Sequence, residues 1–117
     1  MASIKNLNID QGANFSTTII VYQDDGVTVQ DLTEYTIASM MRKNYTSTKK
    51  HLITAAVLVA QEGTITLNLT AAATAAIKSG YYFYDVEITS GSGVITRIQE
   101  GKINMRPEIT SAMGTII

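Results

Sequence analysis

The chain has 117 residues, of which 45% are hydrophobic and 16% charged, with a net charge of −1 and no cysteine. That length sets one domain with a real core, and the apolar content excludes a disordered chain. Without a basic excess nucleic-acid binding is not expected, and without cysteine neither thiolate metal sites nor disulfides can form.

The N-terminal MASIKNLNID carries no secretory signal, and the longest apolar run, residues 55–60, is too short to cross a bilayer. A soluble protein made in a cytoplasm is expected. Low charge gives little protection against association, which suits a protein that lives inside an assembly.

In chain order, residues 1–12 predict an N-terminal arm with Ile4 and Leu7 apolar and a turn at Asp10-Gln11-Gly12. Phe15, Thr17, Ile19 and Val21 then line the more apolar face of a strand. Asp24-Asp25-Gly26 predicts a hairpin-type turn with a short return over residues 27–29. Tyr35, Ile37, Ser39 and Met41 form the inward face of a second strand, leaving Ala38, Met40 and Arg42 outward. Residues 44–51 form a polar loop, followed by a strand over 52–59 relieved of bulk by Ala55 and Ala56. Ile65, Leu67 and Leu69 alternate cleanly with Thr66 and Asn68.

The stretch 69–88 organises the rest. Thr70 caps a helical turn rich in alanine, Ile77 gives it an apolar side, and Gly80 is expected to stop it in the left-handed conformation. The period then changes to two, with Tyr82, Tyr84, Val86 and Ile88 on the core face and Tyr81, Phe83, Asp85 and Glu87 on the other. A tyrosine just after such a crossover ties down the corner of an immunoglobulin-like sandwich through its hydroxyl, and Tyr82 is the candidate here. Gly91-Ser92-Gly93 is a hairpin tip. The last strand begins with Val94, Thr96 and Ile98 inward but ends with Ile103 and Met105 in the opposite phase, predicting a bulge near Gly101. Pro107 ends it, and residues 107–117 predict a C-terminal arm with Met113, Ile116 and Ile117 apolar.

These strands and the crossover at about residues 70–79 read as an all-β, immunoglobulin-like antiparallel β-sandwich over residues 13–106, flanked by the two arms. The chemistry-bearing residues are sparse. His51 is the single histidine and reads as a solvated loop residue. Turn and capping habits explain Asp24, Asp25, Asp31 and Glu34 more simply than calcium binding does. The sequons at Asn14, Asn44 and Asn68 read as chance in a Thr/Ser-rich chain. No nucleophile–base set is visible, so no catalytic, cofactor or metal residue is assigned. Tyr81 and Phe83 are candidates for subunit contact, with cross-strand packing as the bland reading and sugar stacking as another.

Four stretches carry a resemblance: IDQGANFS (9–16), DLTEYTIASMMRK (31–43), LTAAATAAIKSGYYFYD (69–85) and VITRIQEGKINMRPEIT (94–110). In this order they resemble a family of small bacteriophage virion structural proteins with an immunoglobulin-like sandwich. The chain departs from that pattern at Lys78-Ser79, where a proline-containing turn is common, and at its apolar final residues. The resemblance implies a non-enzymatic virion protein, serving as head decoration or cement or as a neck or baseplate adaptor. Capsid or tail subunits are the partners it implies, with no nucleic acid and no membrane. The expected contacts are Met40, Tyr81 and Phe83 on outward faces, Ile4 and Leu7 in the first arm, and Met113, Ile116 and Ile117 in the second, within a homo-oligomeric assembly. A carbohydrate- or host-surface-binding module using Tyr81, Phe83 and the 44–51 loop is the alternative.

Overall fold

The structure, a computed structural model, describes residues 3–44 and 49–107. Eight strands follow in order: β1 (Ser3–Ile4), β2 (Leu7–Asp10), β3 (Phe15–Ile20), β4 (Thr36–Arg42), β5 (Lys50–Val59), β6 (Thr64–Leu69), β7 (Gly80–Thr89) and β8 (Ile95–Arg106). Among the described residues one α-helix, α1 (Ala71–Ala75), lies between β6 and β7, and a 3-10 turn (Ala60–Glu62) joins β5 to β6. Hydrogen bonding runs β1-β8-β7-β4-β5-β6-β3, with β2 also on β8.

The ladder becomes a sandwich at β5. Its first four residues pair with β4, from Arg42↔Lys50 to Ser39↔Ile53, and from Thr54 onward it pairs with β6. The strand therefore leaves one layer and enters the other. Ile65, Leu67 and Leu69 of β6 meet Met41, Tyr82, Tyr84, Val86, Ile103 and Met105 of the opposite layer in one apolar cluster. Period-two alternation places these residues, because every second side chain of a strand shares a face. Parallel pairing of the N-terminal strand with the last strand, β3 on β6, and β4 on β7 make this an immunoglobulin-like sandwich.

Several local expectations are corrected. Residues 3–10 are not an arm: they pair in parallel with β8, and Leu7 and Ile9 are core residues. Parallel pairing buries both apolar side chains, so the sandwich begins before residue 13. The helix ends at Ala75 with Ala76 in a right-handed cap, so Gly80 does not stop it. Gly80 instead opens β7 at φ +135°, where an added Cβ would stand 2.6 Å from the Lys43 Nζ. The bulge lies at Ile98, between the pairs Val86↔Gln99 and Glu87↔Arg97, not at Gly101. That one inserted residue puts Gln99, Ile103 and Met105 on the core side, while Val94, Ile95 and Thr96 stay exposed. The return after Gly26 is a single Tyr22↔Val29 bridge rather than a strand. His51 belongs to β5, not to a loop, and its ring stands edge-on to Tyr82 at 6.0 Å. Residues 108–117, with Met113, Ile116 and Ile117, lie outside the described residues.

Two polar devices lock the layers. At the crossover, Tyr82 donates its hydroxyl to the Lys78 carbonyl at 2.8 Å, the bond that defines a tyrosine corner. The Thr70 side chain accepts from the Ala73 N–H, and Asn14 Oδ1 accepts the Ala71 N–H at 2.7 Å. Thr74 is fully buried and donates to the Ala13 carbonyl, and Gln11 donates to the Ile77 carbonyl. Two of the stretches that carry the resemblance, 9–16 and 69–85, are thus stitched to each other.

The second device sits where β1 passes to β2. Gln99 Nε2 donates to the Tyr84 hydroxyl at 2.8 Å, and Tyr84 donates to the Lys5 carbonyl at 2.6 Å. That carbonyl points inward over Gly101, where an added Cβ would collide with it. The Lys102 N–H turns to Asn6 Oδ1 instead, at 3.0 Å. Glycine at 101 makes room for a backbone approach, not for a bulge.

Candidate functional site

β7 turns Tyr81, Phe83, Asp85 and Glu87 away from the core by the same alternation that buries Tyr82, Tyr84, Val86 and Ile88. Its neighbours fix what stands beside each. Phe83 is opposite Arg42 of β4 and Lys102 of β8, and Asp85 is opposite Met40 and Glu100. Glu87 faces Ala38 and Arg97. The result is a mixed apolar and charged surface on the outer face of the β8-β7-β4 layer.

Two shallow depressions share Phe83 as a wall. The first, about 290 Å³, is bounded by Met40, Arg42, Phe83, Asp85, Arg97 and Glu100 among others. Arg97 lines it too, with Nε 3.3 Å from Asp85 Oδ2 and Nη1 3.2 Å from Glu100 Oε2. Hydrogen bonding to Glu100, then the charge of Asp85, raises the Arg97 pKa further above its ordinary value. The second depression, about 340 Å³, is lined by Lys43, Tyr81, Tyr82, Phe83 and Lys102. Lys43 Nζ stands 4.8 Å from the Tyr82 ring centre and Lys102 Nζ 5.9 Å from that of Phe83, so ammonium groups cover two aromatic faces.

Of the residues singled out in the sequence, Met40, Tyr81 and Phe83 come together on this face. Tyr81 is exposed, at 67%, and Phe83 and Met40 are half-buried. Ile4 pairs with Glu100 at the edge of the same layer and is 79% exposed. Leu7 is withdrawn into the core and offers nothing to a partner, which corrects its assignment as a contact residue. Arg97, Glu100 and Lys102 belong to the face but were not singled out, and Lys43, which reads in the sequence as part of a solvated face, joins them. The alternation of β7 marks Asp85 and Glu87, whereas the β8 residues beside them depend on the bulge at Ile98.

The acids of the other end serve local structure. Asp25 accepts from the Val27 and Thr28 N–H groups and the Thr28 hydroxyl, and Asp31 accepts from the N–H and hydroxyl of Thr33. These bonds, the threonine hydroxyls first, lower both carboxyl pKa values. Among the described residues no group of three or more His, Asp or Glu side chains is placed to hold a metal ion. Also among them, no helix is long and apolar enough to cross a membrane.

The fold and this face define an immunoglobulin-like sandwich with a mixed apolar and charged outer surface on one layer. No family model and no curated protein matches the chain. Among solved structures it is similar to an internalin-like protein of Listeria monocytogenes, at 12% identity and a TM-score of 0.45. The match covers 92% of this chain and 28% of that one.

Proposed function

We propose that this protein is a non-enzymatic structural component of a bacteriophage virion, docking onto capsid or tail subunits through the outer face of β7. The observation that carries the docking half is the exposed Tyr81 beside Phe83 and Met40, rimmed by Lys43, Lys102, Arg42 and Arg97. Aromatic anchors within a charged rim are how protein interfaces concentrate binding energy. The virion half is supported by the four resembling stretches, two of which meet at the crossover. Head decoration or cement and neck or baseplate adaptor are the placements within that reading.

Quantitative mass spectrometry of purified particles from the phage that encodes the chain tests it. A copy number near that of the major capsid protein means decoration, and a small ring-like number means neck, tail or baseplate. Absence from the particle overturns the reading.

The second reading is a carbohydrate- or host-surface-binding module, favoured by the depression in which Phe83 stands beside Asp85, Arg97 and Glu100. Saturable binding on a glycan array, lost in Tyr81→Ala/Phe83→Ala, would select it.

A further inference from the structure

The charges of this chain are sorted by end. Arg42, Lys43, Lys49, Lys50, Lys78 and Lys102 make up six of its nine basic residues. The pairings Arg42↔Lys50, Arg42↔Phe83 and Phe83↔Lys102, with Lys78 held against Tyr82, gather them where β4 ends and β5 and β7 begin. Asp24, Asp25, Asp31, Glu34 and Glu62 make up five of the ten acids. They lie at the opposite end, where the Leu32 N–H bonds the Ala60 carbonyl and the Glu34 side chain lies over Gly91. The turns of that end, residues 21–35, 60–63 and 90–94, contain no lysine or arginine. Segments 42–44, 49–50 and 76–82 of the basic end contain no acid. Asp10, at that end on β2, is held by Arg106 at 2.6 Å.

Each end also has exposed apolar surface inside its charge. Tyr81 stands at the basic end, and Val27, Tyr22 and Val94, at 79%, 49% and 62% exposure, stand at the acidic end. A net charge of −1 therefore conceals a molecule that is strongly polar along its length.

We infer that the partner these two ends fit is a second copy of this chain, the acidic end of one copy docking on the basic end of the next. Opposite charge steers that approach, and like charge disfavours joining two equal ends. The contact is heterologous, so it repeats either into a closed ring or into an open file. Hydrogen bonds within the acidic turns keep Asp25 and Asp31 ionised, so that end retains its charge below neutral pH. The inference needs only one copy to meet another; it shares Tyr81, Lys43 and Lys102 with the proposed docking face, but its test involves no particle.

Sedimentation velocity on the purified chain tests it. At about 0.01 M salt, where charges act over about 30 Å, the wild type should form species larger than the monomer. At about 1 M salt, where that range falls to about 3 Å, it should return to monomer. Two variants make the test specific: Lys50→Glu with Lys102→Glu depletes the basic end of most of its charge, and Asp24→Lys with Glu62→Lys does the same to the acidic end. All four side chains belong to exposed residues outside the core, so folding is checked by the melting curve. Each variant alone should stay monomeric at low salt. Their equimolar mixture should associate again, because the first keeps its acidic end intact and the second its basic end. A wild type that stays monomeric at low salt overturns the inference. So does association that ignores both salt and charge reversal.

Discussion

The inward residues of β7, Tyr82, Tyr84, Val86 and Ile88, are at most 5% exposed, whereas Tyr81 on the outward side is 67% exposed. The two sets alternate along one strand and differ in what satisfies them. The inner tyrosines spend their hydroxyls inside the molecule, on the Lys78 and Lys5 carbonyls. On the outer side, Phe83 and Asp85 meet Lys102 and Arg97 at a surface open to solvent. Among the described residues no buried side-chain nitrogen or oxygen lacks a partner, so the inner face is closed chemistry. Changes to it should act on stability, and changes to the outer face on binding.

The largest expected effect on the inner side comes from Ile103→Ala, which empties a fully buried site between the layers. It should cost about 3–4 kcal/mol in chemical denaturation. Gly101→Ala should follow at about 3 kcal/mol, because its Cβ would collide with the Lys5 carbonyl and push β1 off β8. Hydrogen exchange would show that loss first at the amides that tie the two strands, those of Lys5 and Lys102.

Tyr84→Phe should cost about 1–3 kcal/mol, since it leaves the Lys5 carbonyl and the Gln99 amide without their shared hydroxyl. It also has a pH signature. Burial raises the Tyr84 pKa above its ordinary value of 10.0. The unfolded chain therefore loses this proton first. The stability it contributes is complete below about pH 10 and is lost as pH rises toward the raised value. Alkaline unfolding of Tyr84→Phe should accordingly have a shallower pH slope than that of the wild type. Equal slopes would mean that Tyr84 is not held neutral by the fold.

The sandwich was legible wherever alternation is long and local: β4, β6 and β7 show their inward residues directly in the sequence. The tyrosine corner was legible for the same reason, since Tyr82 and Lys78 are four residues apart. The N-terminal strands were not. β1 and β2 are two and four residues long, and their pairing with β8 spans almost the whole chain, so no local pattern announces it. The bulge at Ile98 was displaced to Gly101 because a phase slip says that a residue is inserted, not where. Gly101 drew the assignment, but its reason is the Lys5 carbonyl above it. Half of the candidate face followed from β7 alone, and the β8 half waited on that register.

The most direct test of the docking claim is competitive assembly, in which wild-type chain and a Tyr81→Ala/Phe83→Ala variant are offered together to particles lacking both. Their ratio in purified particles is then counted by mass spectrometry, alongside the melting temperatures of the free proteins. Tyr81 is exposed and Phe83 only half-buried, so the variant should melt close to the wild type while being depleted from particles at least tenfold, about 1.4 kcal/mol of binding. Equal incorporation by a variant that folds normally would contradict a docking role for the outer face of β7.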